Sequence, residues 1–274
     1  MGLFSRNFDR PGPGVAKDEP RKKGAARFFE ILLRDFADLI KLSLLFSLCA
    51  LPSVATFIIG SLPFMFGTNT LVLVFLLPSV ILAYPIGGAV VACYFNISRF
   101  MRDDPSYLWF DFKRKFKENV KQAAPAGIIC TTFIYMQVLV WFQMYYQLAE
   151  GTYTGGLFML LLAIMSLLMF SMIVPYIFLH YAYIDLGALR ILKNSLLMAF
   201  AYIPRSFMGA LLGGIIWILI AITLPSSLVI APLVPLILIS LSMMLTLTWI
   251  WPKFNAYFDI EETLKKRKEE KNEQ

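Results

Sequence analysis

Charge is absent from long stretches of this 274-residue chain. Residues 42–98 and 206–252 contain no charged side chain, and residues 122–184 contain only Glu150. Charged residues make up 16% of the chain and hydrophobic residues 58%, whereas soluble domains carry about 25% and about 45–50%. This shortage of charge excludes an ordinary soluble domain and indicates a chain that is surrounded largely by lipid.

The residues that most enzymes and metal sites need are scarce as well. His180 is the only histidine, and the three cysteines, Cys49, Cys93 and Cys130, lie inside apolar runs without a CxxC pair. No phosphate-binding loop, nucleophile elbow or HExxH motif occurs in the sequence. We therefore predict no catalytic residue, no metal site, no cofactor and no enzymatic activity.

The apolar runs are too long for single membrane crossings. Residues 42–98 would form one helix of about 85 Å at a rise of about 1.5 Å per residue, but the hydrocarbon core of a bilayer is only about 30 Å thick. Each long run must therefore cross twice, and residues typical of turns mark the breaks. We predict an all-α bundle of about six transmembrane helices within residues 25–252. The predicted spans lie near residues 42–60, 70–95, 122–147, 155–182, 206–224 and 228–251.

The distribution of Lys and Arg predicts the orientation of these spans. All 25 of these residues lie in residues 6–41, 99–121, 190–205 and 253–271, and the other three connecting loops have none. Positively charged loops stay on the cytoplasmic side of a membrane. We therefore expect a multi-pass protein of the plasma membrane with both termini in the cytoplasm.

The two ends of the chain are polar. Residues 1–24 lack the apolar core of a signal peptide and predict a flexible cytoplasmic arm. Residues 253–274 mix Glu with Lys and predict a charged cytoplasmic tail. The net charge of +7 comes from basic residues that adjoin apolar runs. Anionic lipid headgroups are therefore the expected partner, and nucleic acid is not.

Residues 105–121 predict an amphipathic helix beside the membrane, because apolar side chains recur there every three or four residues. This helix either anchors its loop to lipid headgroups or docks a partner protein, and the sequence leaves both open. Residues 25–39 predict a second helix of this kind, in which Arg34 and Asp38 are spaced to pair. The candidate contact residues of the first helix are Trp109, Phe112, Arg114, Phe116, Lys117 and Lys121.

Few polar groups lie within the predicted spans. His180 and Asp185, near the cytoplasmic end of the fourth span, are the titratable candidates, and a structural role is favoured for both. Gln137 indicates either a polar cavity or a hydrogen bond between helices. Gly209 and Gly213 form a GxxxG pattern, which is typical of close contact with a neighbouring helix.

Several stretches resemble the YesL-like membrane proteins of Gram-positive bacteria, mainly in the first half of the chain. The match departs at Ser43, where Asn is usual, and at Val120, where an aromatic residue is common. The matching stretches are Arg10-Pro11-Gly12-Pro13-Gly14-Val15, Leu39-Ile40-Lys41-Leu42, Leu51-Pro52, Pro85-Ile86-Gly87-Gly88, Arg99-Phe100, Trp109-Phe110-Asp111-Phe112 and Lys117-Glu118-Asn119-Val120-Lys121-Gln122.

The resemblance implies a function only indirectly, because that family has no established biochemical activity. Its members often lie beside genes for carbohydrate-uptake ABC transporters and for glycan-degrading enzymes. The resemblance therefore implies an accessory or regulatory membrane component of carbohydrate transport, with ABC transporter subunits as partners. The alternative is a small-solute carrier or channel that acts on its own and has a polar cavity between its spans.

Overall fold

The fold is all-helical, as the sequence predicts. A computed structural model describes residues 25–65, 70–104, 107–184, 186–223 and 233–272, and within these ranges it has nine helices and no strand. The helices are α1 (Ala25–Met65), α2 (Thr70–Leu82), α3 (Tyr84–Arg102), α4 (Leu108–Ala149), α5 (Gly156–Tyr183), α6 (Ala188–Ala201), α7 (Ile203–Thr223), α8 (Leu233–Phe258) and α9 (Ile260–Asn272).

Several of these helices are long and apolar enough to cross a membrane. Three qualify alone, namely α1, α4 and α5. Two bent pairs, α2 with α3 and α6 with α7, raise the count to five if each pair is one span. The predicted sixth span overlaps α8, but residues 224–232 lie outside the described ranges, so the sixth crossing stays a prediction.

The second predicted span is bent in the structure. Helices α2 and α3 meet at Ala83 with an angle of 43° between them. Pro85 lies in the first turn of α3. Proline has no amide hydrogen to donate to the preceding turn, which favours a bend at this point.

Helix α3 is the centre of the bundle, because nearly all of its side chains from Ile86 to Arg102 are buried. It lies very close to α4. A Cβ atom on Gly87 would lie 2.1 Å from the carbonyl oxygen of Ala123, and one on Gly127 would lie 2.4 Å from the backbone nitrogen of Gly87. The absent side chains therefore allow direct contact between the two backbones.

The GxxxG pattern forms the contact between α7 and α8. The hydroxyl of Thr246 donates to the carbonyl of Gly209 at 3.2 Å, and the hydroxyl of Ser242 donates to the carbonyl of Gly213 at 2.9 Å. The indole of Trp217 donates to Ser242 at 3.1 Å. The predicted close contact at Gly209 and Gly213 is confirmed.

The two predicted interfacial helices are not separate elements. Residues 25–39 form the first turns of α1, which is non-helical only at Asp35. The described part of residues 105–121 is the beginning of α4, and this helix continues through Pro125 to Ala149. At about 1.5 Å per residue α4 is about 63 Å long, roughly twice the thickness of a hydrocarbon core. A crossing along the membrane normal therefore leaves about half of α4 beyond the apolar layer.

The four segments that carry the basic residues meet at one end of the bundle, here called the basic end. Arg27 of the first segment pairs with Asp103 of the second at 2.6 Å. The guanidinium of Arg102 lies 5.4 Å from the ring centroid of Trp251, which precedes the fourth segment. Lys253 lies 5.6 Å from the ring centroid of Tyr202, within the third segment.

Candidate functional site at the basic end

Asp103 organises the end of α3. It follows the last helical residue with φ 60°, a left-handed conformation that Asp tolerates better than most residues. Arg27 donates to the carbonyl of Met101 at 2.9 Å and to Asp103 at 2.6 Å. Arg34 donates to the carbonyl of Phe100 at 3.0 Å and also pairs with Asp103. Arg27 thus satisfies a carbonyl at the end of the helix, and Arg34 adds a second donor to the Phe100 carbonyl, which also accepts from the amide of Asp103.

These arginines also keep Asp103 ionised. Burial favours the neutral carboxyl group, but the hydrogen bonds and charges of Arg34 and Arg27 outweigh it. The pKa of Asp103 therefore lies below its ordinary value.

Arg102 connects the ends of three helices. It is buried, and it donates to the hydroxyl of Tyr183 at 2.6 Å and to Asp104 at 2.8 Å. Its guanidinium lies 5.5 Å from the ring centroid of Tyr183 and 5.4 Å from that of Trp251. Such cation–π contacts strengthen when water is excluded. Arg102 therefore holds the ends of α3, α5 and α8 together.

Asp111 fixes the beginning of α4. It is buried in the first helical turn, where negative charge is favourable. It accepts hydrogen bonds from Arg99, from Arg114 at 2.9 Å and from the amide of Tyr107 at 3.2 Å. The ammonium of Lys115 lies 5.0 Å from the ring centroid of Phe95. The projecting half of α4 is therefore held rigidly against α3.

The structure divides the six candidate contact residues of this helix into two groups. Phe112 is only 5% exposed, and Phe116 stacks on it with ring centroids 6.2 Å apart. These two are not surface residues, because α4 buries its apolar side in the core beside α3. Trp109 is 62% exposed, and Arg114, Lys117 and Lys121 are exposed as well.

Sequence reasoning missed two exposed aromatic residues in the same region. Tyr107 is 80% exposed and Phe110 is 62% exposed, and Arg114 lies over the ring of Phe110 at 5.7 Å. The sequence contains the signal for this surface. Tyr107, Phe110, Arg114, Lys117 and Lys121 follow one another at alternating spacings of three and four, and this spacing is typical of one helix face. Tyr107, Phe110, Arg114, Lys117 and Lys121 are here called the aromatic–basic stripe.

Of the two titratable candidates, the structure describes only His180. Asp185 lies outside the described residues. His180 is fully buried and cannot reach interfacial water. Its Nδ1 lies 2.7 Å from the carbonyl oxygen of Tyr176 and 3.2 Å from the hydroxyl of Ser195, and its ring meets Phe254 edge-on at 5.2 Å. These contacts tie α5 to α6 and α8.

Helix α6 differs from the sequence prediction, which places Arg190 and Lys193 in a connecting loop. Its buried residues include Ile191, Ser195 and Met198, whose spacing of four and three was the available signal. The turn at Tyr202 bends α6 by 97° relative to α7. Helix α6 thus lies across the basic end and exposes Leu189, Leu192, Leu197 and Phe200.

Polar side chains within the predicted spans connect neighbouring helices. Gln137 donates to the hydroxyl of Ser166 at 2.7 Å, which joins α4 to α5. The hydroxyls of Ser53 and Tyr135 lie 2.6 Å apart, and Ser53 donates to the carbonyl of Ser79. Of the two possibilities for Gln137, the structure shows the hydrogen bond between helices.

Two cavities lie at the basic end. One has about 360 Å³ and is lined by residues of α4, α5 and the beginning of α6. The other has about 310 Å³ and lies at the junction of α8 and α9, among Asn255, Asp259 and Glu262. The chemistry available here is binding through cations, aromatic rings and amides.

No family model, curated protein or solved structure matches the chain.

Proposed function

We propose that this protein is a non-enzymatic component of the plasma membrane that assists or regulates a carbohydrate ABC transporter. The observation that carries the proposal is the aromatic–basic stripe on the projecting half of α4. Tyrosine, tryptophan, phenylalanine and arginine are enriched in protein interfaces, where a few of them provide most of the binding energy. The link to carbohydrate transport comes from the resemblance to YesL-like proteins alone.

The stripe is well suited to docking because it needs little ordering on binding. Asp111 is buried between Arg99 and Arg114, and α4 runs without a break into its apolar half. A surface that is rigid before binding loses less conformational entropy when the partner arrives. Tyr107 and Phe110 are then exposed anchors on a fixed support.

The meeting of the four basic segments at one end supports the proposed orientation. Such a concentration of Lys and Arg is typical of the cytoplasmic side. With this orientation, the stripe is available to the cytoplasmic loops of a permease subunit or to its ATPase.

Co-purification tests the proposed function. The protein and the permease subunits of a carbohydrate ABC transporter from the same host are co-expressed and isolated in mild detergent. We expect the permease to be retained, and Tyr107→Ala with Phe110→Ala to reduce retention at least about tenfold, as the loss of interface anchors does. Tyr257→Ala is the matched control, because Tyr257 is equally exposed but lies on α8. Isolation of the wild-type protein without any permease would contradict the proposal.

A flux assay distinguishes the accessory role from the alternative, which is an independent carrier or channel. Asn96 Oδ1 and Gln137 Oε1 are buried and have no partner among the described residues, as expected of groups that contact a polar solute or water. Uptake of labelled sugar by proteoliposomes that contain this protein alone would favour the carrier. Uptake that requires the ABC transporter would favour the accessory role.

A further inference from the structure

Helix α6 is not needed for the membrane crossing that follows it. Helix α7 has 21 residues, about 32 Å at a rise of about 1.5 Å per residue, so it is long enough to cross a hydrocarbon core of about 30 Å alone. The angle of 97° between the two helices then directs α6 along the membrane surface. Because α6 also follows α5, which is itself a candidate span, it lies where the hydrocarbon layer meets water at the basic end.

One side of α6 packs against the rest of the bundle. Its buried residues are Ile191, Ser195, Met198 and Ala199, and at about 100° per residue they lie within an arc of about 100°. The hydroxyl of Ser195 lies 3.2 Å from Nδ1 of His180, which holds this side of α6 against α5. The remaining circumference of the helix is therefore available to lipid and water.

The flank on one side of the buried arc is apolar. Leu189, Leu192 and Phe200 are 84%, 45% and 46% exposed, and Leu196 is half-buried. These four residues lie within an arc of about 80° and are here called the apolar flank. Contiguous apolar surface is unfavourable in water, whereas the acyl chains of a leaflet accommodate it.

The opposite flank of α6 is basic. Arg190 and Lys193 are exposed there and Asn194 is half-buried, with Leu197 as an apolar exception at 59% exposure. The 14 residues of α6 include two cations and no carboxylate. Apolar residues on one flank and cations on the other are typical of helices that lie in the membrane interface. The positive charge of the second flank is complementary to anionic headgroups.

We propose that α6 is an interfacial helix that binds anionic phospholipids of the leaflet at the basic end. The apolar flank enters the acyl-chain region, and Arg190 and Lys193 contact the headgroup phosphates. Contact with Ser195 then connects this lipid layer to His180 of α5. The surface lies on a different helix from the aromatic–basic stripe, so it does not depend on the docking role proposed for α4.

Fluorescence quenching in lipid vesicles tests the proposal with the full chain. Leu192→Cys and Leu197→Cys form a matched pair, because both replace an exposed leucine of α6 but lie on opposite flanks. Each carries a thiol-reactive fluorophore in vesicles of phosphatidylcholine with acyl-chain-brominated phosphatidylglycerol. The labelled native protein gives the background, since Cys93 and Cys130 are buried and Cys49 is half-buried. We expect strong quenching at Leu192→Cys and little at Leu197→Cys, because only the first faces the acyl chains.

The identity of the headgroup is tested at the same label. Brominated phosphatidylcholine replaces brominated phosphatidylglycerol at equal mole fraction, and the ratio of the two quenching curves gives the local lipid preference. Two cations should favour phosphatidylglycerol at least about tenfold. Arg190→Gln with Lys193→Gln should abolish this preference. Arg190→Lys with Lys193→Arg is the matched control, because it keeps both charges and should keep the preference.

Three results would overturn the proposal. Equal quenching at Leu192→Cys and Leu197→Cys would show that the apolar flank does not enter the acyl-chain region. Equal quenching by both brominated lipids at Leu192→Cys would show that α6 does not select anionic headgroups. A preference for phosphatidylglycerol that survives Arg190→Gln with Lys193→Gln would show that other residues provide it.

Discussion

At the residue scale, Asp103 acts through both its backbone conformation and the charge of its side chain. Its left-handed conformation ends α3, and its carboxylate pairs with Arg27 and Arg34 from a segment about 70 residues earlier. Arg27 is nearly buried and has Glu30 as a further partner, which is half-exposed. A buried guanidinium that loses a carboxylate partner is costly, because water cannot replace that partner.

Asp103→Asn isolates this charge, because asparagine also tolerates the left-handed conformation. We expect it to lower the free energy of unfolding by about 1–3 kcal/mol at neutral pH. Asp38→Asn is the matched control, since Asp38 pairs with the exposed Lys41 and such pairs contribute about 0.3–0.5 kcal/mol. Thermal unfolding in detergent measures both. An equal loss in the two variants would contradict a special role for Asp103.

The pH dependence of the same variant follows from the lowered pKa of Asp103. A lowered carboxyl pKa stabilises the fold above the ordinary value of about 4, and this contribution disappears as the pH falls through the folded-state pKa. The Tm difference between wild type and Asp103→Asn should therefore be constant from about pH 5 to about pH 8 and vanish in stronger acid. A difference that grows as the pH falls would have the wrong sign.

The arginine contacts show what sequence spacing can and cannot predict at this scale. The spacing of four predicted a pair between Arg34 and Asp38. In the structure Arg34 pairs with Asp35 and Asp103, and Asp38 pairs with Lys41. Local spacing identifies residues that can meet within one helix. It does not show which carboxylates of another helix lie nearby, because the position of such a carboxylate depends on the packing of α1 against α3.

At the scale of elements, the close contact between α3 and α4 determines where the charged side chains of these two helices lie at the basic end. Asp111 and the stripe from Phe110 onward are on α4, whereas Arg99 and Arg102 are on α3. The two helices can lie this close because Gly87, Gly88 and Gly127 have no side chains.

Gly87→Ala tests this contact. Its Cβ atom would lie 2.1 Å from the carbonyl oxygen of Ala123, so the two backbones must separate. We expect a loss of about 1–3 kcal/mol or more, the usual cost of overpacking, and a lower Tm. Gly214→Ala is the control within α7, because its Cβ atom meets nothing within 4 Å. It should stabilise the helix by up to about 1 kcal/mol. A neutral Gly87→Ala would show that α3 and α4 are farther apart than described.

Element boundaries were predicted well where apolar runs end in turn residues. The fourth predicted span, residues 155–182, corresponds to α5 (Gly156–Tyr183). Helix α6 was not predicted, and the projecting half of α4 was predicted as a helix but not as the beginning of the following span. Charge marks the edge of the apolar layer, but a helix does not end where it leaves lipid. The direction of α6 depends on the contacts of Ser195 and Tyr202 with other helices, which no local pattern contains.

At the scale of the whole molecule, apolar residues face outward along much of the bundle. Large hydrophobic side chains such as Leu48, Ile81 and Leu161 are exposed. In water such a surface would drive aggregation, whereas in a bilayer it faces lipid. Because the hydrophobic effect is not available between helices in lipid, the bundle depends on close contacts at glycine and on hydrogen bonds between helices.

Cysteine labelling tests the orientation that the basic end implies. Thr152 is exposed in the connection between α4 and α5, a loop without Lys or Arg, and Lys117 is exposed at the basic end. A membrane-impermeant maleimide added to intact cells should label Thr152→Cys but reach Lys117→Cys only after the cells are opened, since basic segments stay in the cytoplasm. The native protein is the control, because Cys93 and Cys130 are buried and Cys49 is half-buried in an apolar helix. Labelling of Lys117→Cys from outside would invert the topology. It would also place the stripe on the wrong side of the membrane for any ATPase partner.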